Sequence, residues 1–234
     1  MKQFTEDMRE LNIAKRAILF DLDGTLVDTT DLILRCFSHC WQTVYGLEHS
    51  REALIATFGI PLSEAMRRLT REPAIAELAV SDEMIERLLL EYRSFNSVHH
   101  DRLAQPFNGT SKVLEELRAR GYLIGVVTSK GRELATRGLK LCSLDGLIDA
   151  AVFLEDTSIH KPNPEPILAA LEKLDTRADC AAYVGDSCHD MIAGRRADVR
   201  TIAALWGPYP RTELERERPD HLAESINSLL EIFV

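Results

Sequence analysis

The chain has 234 residues, 45% of them hydrophobic and 28% charged, a composition that fits one large globular domain or a domain with an insert. Its formal net charge of −9 argues against a nucleic-acid partner, because a phosphate backbone calls for a basic surface; a small anionic substrate in a locally positive pocket stays open. No apolar run approaches the ~20 residues that span a bilayer, and residues 1–16 mix acidic and basic side chains without an apolar signal core, so a cytoplasmic location is expected.

The first apolar run, 17–20, reads as a strand buried on both faces, and it ends in Asp21-Leu22-Asp23-Gly24-Thr25. From 28 to 104 only helical patterns follow, over 32–45, 62–69 and 82–95, the last with Met84, Leu88 and Tyr92 at i, i+4 and i+8. That stretch is too long for a loop, so 28–104 is expected as an all-helical inserted domain, with 1–27 and 105–234 forming the core. Alternation then resumes. A helix over 113–120 is stopped by Gly121, and strands are expected at 122–127, 150–154, 181–184 and 201–205. The helix through 167–174 takes Asn163 as its N-cap and Pro164 as its first residue. This order predicts a doubly wound α/β fold with a parallel sheet. The charged run 211–218 reads as a solvated helix face. Five cysteines stand at 36, 40, 142, 180 and 188; Cys36 and Cys40 flank His39 but lack a second ligand pair, so reduced thiols are expected rather than zinc.

Candidate chemistry gathers at the strand ends. Asp21 and Asp23 are two apart in extended chain and point the same way, toward the carboxyl edge where open α/β sheets bind ligands. Two such carboxylates repel unless a cation bridges them or one holds a proton. The second strand ends in Thr128-Ser129, a hydroxyl and helix start that can meet a phosphate oxygen or simply cap a helix. Lys161 is held between a loop and Pro162 and Pro164, and the fourth strand ends in Asp186, with Asp190 one helical turn on. Carboxylates for a hard cation, beside a lysine and N–H groups, suit a phosphoryl group. No P-loop or Gly-x-Ser-x-Gly elbow is present. His99 and His100 fall in the helical stretch, away from these ends.

In four segments the sequence resembles the haloacid dehalogenase superfamily: FDLDGTLVDT, VVTS, KPNPEP and YVGDSCHDMIAGRRAD, in that order, with the insert similar to the C1-type cap. The resemblance implies a magnesium-dependent phosphohydrolase with Asp21 as nucleophile and Asp23 as general acid/base. It implies that Mg2+ is held by Asp21, the Asp23 carbonyl and Asp186, with Asp190 supporting the metal site. Phosphate is then bound by Thr128 and Lys161, with N–H groups of Asp23, Gly24 and Ser129. Dehalogenases lack an acid where Asp23 stands, and phosphonatases need a cap lysine where this insert has none. The segment 59–66 lacks the arginine of β-phosphoglucomutases. PpaX-type pyrophosphatases and phosphoglycolate phosphatases remain similar. Tyr92-Arg93, Asn96 and His100-Asp101 resemble the pyrophosphatase pattern, although Tyr92 and Phe95 packing the insert, with Arg93 and Asn96 at its hinge, explain them equally. The expected substrate is pyrophosphate or a small phosphomonoester such as phosphoglycolate; a sugar-phosphate phosphatase or β-phosphoglucomutase-like mutase is the alternative, and a catalytically silent binding protein is the contrasting class.

Overall fold

The structure is a computed structural model and describes residues 15–72 and 81–234. The reading of residues 1–16 falls almost wholly outside it, as does 73–80 of the insert. In chain order, β1 (Arg16–Phe20) leads to a short β2 (Val27–Asp28) and the helices α1 (Thr30–Tyr45), α2 (Arg51–Ile55), α3 (Leu62–Leu69) and α4 (Asp82–Leu103). A short β3 (Gln105–Pro106) then pairs antiparallel with β2, so the chain leaves and re-enters the α/β part through one ribbon. There follow α5 (Thr110–Ala119), β4 (Tyr122–Val127), α6 (Arg132–Leu141), β5 (Ala150–Val152), α7 (Glu165–Leu174) and β6 (Ala181–Gly185). The chain closes with α8 (Cys188–Arg196), β7 (Arg200–Ala204), α9 (Arg211–Arg216), β8 (His221–Ala223) and α10 (Leu229–Ile232).

The sheet has the order β5-β4-β1-β6-β7-β8, and every pair is parallel. Alternation along β1 explains its burial on both faces. Ile18 and Phe20 join a cluster with Leu114 and Leu117 of α5 and Phe233, while Ala17 and Leu19 join Ile167 and Leu171 of α7. The winding runs outward from β1 to β5, then restarts on the other side at β6. The switch point therefore lies beside β1, where a ligand crevice is expected.

The helices between β2 and β3 build their own apolar cluster around Trp41, Met66 and Leu88, and it continues into Met191, Ala203, Tyr209 and Leu214 of the α/β part. Ser50 and Ser81 cap α2 and α4, accepting from Ala53 N at 3.1 Å and Met84 N at 3.3 Å. No described helix is long and apolar enough to cross a membrane.

Several boundaries differ from expectation. Helix α4 runs on past Phe95 to Leu103, so His99 and His100 are helical. Strand β5 stops at Val152, and β7 begins one residue early. Strand β8 was not expected at all. Helix α7 begins at Glu165, so Pro164 takes the N-cap position in place of Asn163, whose Oδ1 accepts Glu165 N at 2.9 Å from one residue further out. In α9 the charged run is solvated except at Leu214, which is buried. The Cys36 and Cys40 thiols are free and buried on α1, and burial pushes both up to about 12.

Gly125 of β4 pairs with Leu19, and a Cβ there would meet Leu19 Cδ2 at 2.4 Å. Gly125→Ala is expected to destabilise the fold by about 1–3 kcal/mol, since a filled core cannot take a methyl without moving side chains. Urea unfolding would read this as a lower midpoint at unchanged slope.

Candidate active site

Asp21 follows β1 and Asp186 follows β6, so the neighbouring strands end in carboxylates at the switch point. Beside Asp21 lies Lys161, 1% exposed, whose ammonium donates to Asp21 Oδ1 at 2.8 Å, Asp190 Oδ1 at 2.7 Å and Tyr183 Oη at 3.0 Å. Burial alone would lower the Lys161 pKa, but Asp190 and Asp21 outweigh it and hold the ammonium above its ordinary range. Asp190 feels the same burial, yet Lys161, Ser187 and Tyr183 keep its carboxylate below the usual value. Its Oδ2 accepts from Ser187 N at 3.0 Å and Ser187 Oγ at 2.5 Å, and Ser187 returns a cap to Asp190 N.

The remaining acids are less well compensated. Burial raises Asp21 to about 7 against the pull of Lys161, with Asp190 and Asp23 adding to the rise. Asp186 stands well above the carboxylate range through burial and through Asp21 and Asp190. Asp21, Asp186 and Asp190 bring carboxylate oxygens within 4.8 Å of one another. Asp190 uses both oxygens on protein donors, whereas Asp21 uses only Oδ1, on Lys161, and Asp186 only Oδ1, on Thr25 Oγ1 at 2.7 Å. The two Oδ2 atoms thus accept nothing from the described residues, a donor set that fits a hard cation. Gly24, at φ 83°, permits the turn; a Cβ there would sit 2.5 Å from Asp186 Oδ2.

Asp23 is arranged differently. It is half-buried, and its Oδ1 accepts from Thr29 Oγ1 at 2.8 Å and from Lys130 Nζ at 2.8 Å. Asp21, Asp23, Thr128, Ser129 and Lys130 all line one cavity of about 380 Å³. Its other walls come from the helical stretch, with Ile33 and Phe37 of α1, the loop Phe58-Gly59-Ile60, and Tyr92, Arg93 and Asn96 of α4, and from the α/β part, with Glu133, Leu134, Leu154 and Glu155. Ser129 Oγ donates to Gly59 O at 2.6 Å, and Tyr209 Oη donates to Phe58 O at 3.4 Å, so this loop is seated on the α/β part.

Of the residues singled out by sequence, Asp21, Asp186, Asp190 and Lys161 form one buried cluster, and Asp23, Thr128 and Ser129 stand at its mouth. The Gly24 N–H is turned inward to Val27 O at 2.8 Å, and the Ser129 hydroxyl is engaged by the loop. His100 is fully buried at the end of α4 against Gly138 and outside the cavity. Sequence reasoning passed over two groups. Lys130 directly follows the Thr-Ser pair and supplies the cavity with a lysine that the insert lacks, and Tyr183 reads as an ordinary strand residue until its hydroxyl is seen on Lys161.

Residues 18–204 match the family described as haloacid dehalogenase-like hydrolase. A protein of Caldanaerobacter subterraneus subsp. tengcongensis, provisionally named pyrophosphatase PpaX, is 40% identical over 216 residues, covering 92% of this chain and 93% of the relative. Pyrophosphatase PpaX of Bacillus thuringiensis (strain Al Hakam) is 35% identical, over 92% and 94% of the two chains. Among solved structures, a hydrolase from Pseudomonas syringae superposes with a TM-score of 0.82 at 27% identity, covering 92% of this chain and 96% of its own. The match runs from β1 to β7 and encloses both the helical insert and the acidic cluster: the chain belongs to the haloacid dehalogenase-like hydrolases.

Proposed function

We propose that the protein is a magnesium-dependent phosphohydrolase of the cytoplasm that works through an aspartyl-phosphate on Asp21 and acts on pyrophosphate or a small phosphomonoester. The observation that carries this reading is the buried Asp21, with one oxygen held by Lys161 and the other free, at the floor of a cavity shared with Asp23. The named relatives favour pyrophosphate among the substrates.

In this reading residues 28–104 act as a cap over a core of 1–27 and 105–234. Asp21, the Asp23 carbonyl and Asp186 would hold the metal, which would offset negative charge as a carboxylate approaches an anionic phosphoryl group. The oxygen of Asp21 that is not on the metal attacks phosphorus; the new O–P bond forms as the bond to the leaving oxygen breaks. Lys161, its three N–H groups taken by Asp21, Asp190 and Tyr183, keeps Asp21 oriented, and the Thr128 hydroxyl with the N–H groups around Ser129 meets the phosphoryl oxygens. Asp23 gives its proton to the leaving oxygen. It then takes one from the water that attacks phosphorus and frees Asp21. Asp190 holds Lys161 in place.

Asp21→Asn is expected to reduce turnover by about 10³-fold or more on every substrate, with far-UV circular dichroism unchanged. Phosphate release with and without EDTA should show activity lost on chelation and regained with Mg2+. Retained activity in Asp21→Asn would refute the assignment of the nucleophile.

The leaving group sets a finer expectation. Phosphate departs more readily than an alkoxide, so Asp23→Asn should slow aspartyl-phosphate formation less with pyrophosphate than with phosphoglycolate. Single-turnover quench experiments would measure that step directly, and equal slowing for the two substrates would count against Asp23 as the proton donor.

A further inference from the structure

Helix α4 places Arg93 and Asn96 three residues apart, on one face, and both line the cavity that holds Asp21 and Asp23. Neither sits at the hinge. Arg93 has no hydrogen-bond or ion-pair partner among the described residues, so its charge is uncommitted. Asn96 is 3% exposed, donates only a long 3.6 Å bond from Nδ2 to Cys36 Sγ, and leaves Oδ1 buried without a partner. A buried amide with an idle oxygen is costly unless something else completes it. Exchanging the two ends of the amide would turn its N–H2 toward the cavity and its oxygen toward the Cys36 thiol, with the shape unchanged.

Ile33, Phe37 and Ile60 beside them offer nothing to an anion, and the Thr57 hydroxyl is spent on Leu54 O at 2.7 Å; Glu133 and Glu155 line the same cavity, so an anion there must be held against their charge. On the opposite side Lys130 already carries the charge of Asp23. A phosphoryl donor bound at Asp21 must extend past Asp23 into this space.

We propose that Arg93 and Asn96 bind an anionic group on the leaving part of the substrate, together with Lys130, and so select phosphoryl donors whose leaving group is itself charged. This rests on the phosphohydrolase reading above and deepens it. A second phosphate and a carboxylate share the chemistry that an arginine and an amide recognise. A neutral aryl leaving group would find only the apolar wall.

The test compares kcat/KM for pyrophosphate and for phosphoglycolate, each divided by that for p-nitrophenyl phosphate, in the full chain with magnesium. The wild type should favour at least one of the charged donors, and the favoured one identifies the leaving group as phosphate or carboxylate. Arg93→Ala should lower that ratio by about 10–100-fold, the span of a lost charge-assisted hydrogen bond. Arg93 is exposed and alanine suits a helix, so folding should be retained. Arg93→Lys keeps the charge and should retain part of the ratio. A ratio that moves by less than about tenfold in Arg93→Ala, a lysine variant no better than alanine, or a wild type that prefers p-nitrophenyl phosphate would overturn the proposal. Wild-type turnover equal to that of Asp21→Asn on all three substrates would instead sink the phosphohydrolase reading, and this inference with it.

Discussion

The structure turns on one buried ammonium. Lys161 joins Asp21 after β1, Asp190 on α8 and Tyr183 on β6, and it lies 3.5 Å from the Val127 carbonyl at the end of β4. Three adjacent strands therefore converge on a single positive charge that has no access to water. Such a group is tolerable only when every donor is taken, and removing one partner of a buried ion pair typically costs about 3–5 kcal/mol. The sheet order, the turn at Gly24 and the serine cap on α8 can all be read as the means by which the acids reach this lysine.

A second lysine divides the labour. Asp21 and Asp23 are two residues apart, yet each has its own ammonium: Lys161 from a buried loop for the first, Lys130 from the end of β4 for the second. The deeper acid is closely confined, while the shallower one shares its oxygen with Thr29 and borders open space. Two chemically identical side chains thus meet different surroundings, which suits them to the separate roles proposed above.

Much of this was legible in the sequence because its signals are local. The strands β1, β4 and β6 are continuous apolar runs, and the acids that follow them stand at fixed offsets. The missed parts lack such signals. Strand β8 is a short edge with His221 and Leu222 exposed, so no buried run marks it. The β2–β3 ribbon depends on residues far apart in the chain. The polar stretch Ser97 to Arg102 hides the end of α4, because the buried His100 there is paired with Asp101 rather than packed as an apolar contact. Lys130 and Tyr183 are ordinary residue types in ordinary places; only three-dimensional neighbours reveal their partners. The grouping of Arg93 and Asn96 with the strand ends likewise needed the fold, since it depends on where α4 lies over the sheet.

The loop contact between Gly59 and Ser129 has a consequence for timing. Gly59 sits at φ 86°, and a Cβ there would fall 2.6 Å from Ser187 Oγ, so the loop lies directly against the serine that caps α8. What fastens it by hydrogen bonding is slight: one neutral bond at 2.6 Å and a longer one from Tyr209. A bond of this kind contributes about 0.5–1.5 kcal/mol net, which biases two positions of a loop by little more than tenfold. Phe58 and Ile60 of the loop are themselves buried in the apolar cluster, so lifting it must expose them, and that burial holds the loop more firmly than the two hydrogen bonds. The apolar cluster beneath it would set the slower rhythm, because it continues from the insert into Met191 and Tyr209 and must part before the whole helical layer can swing.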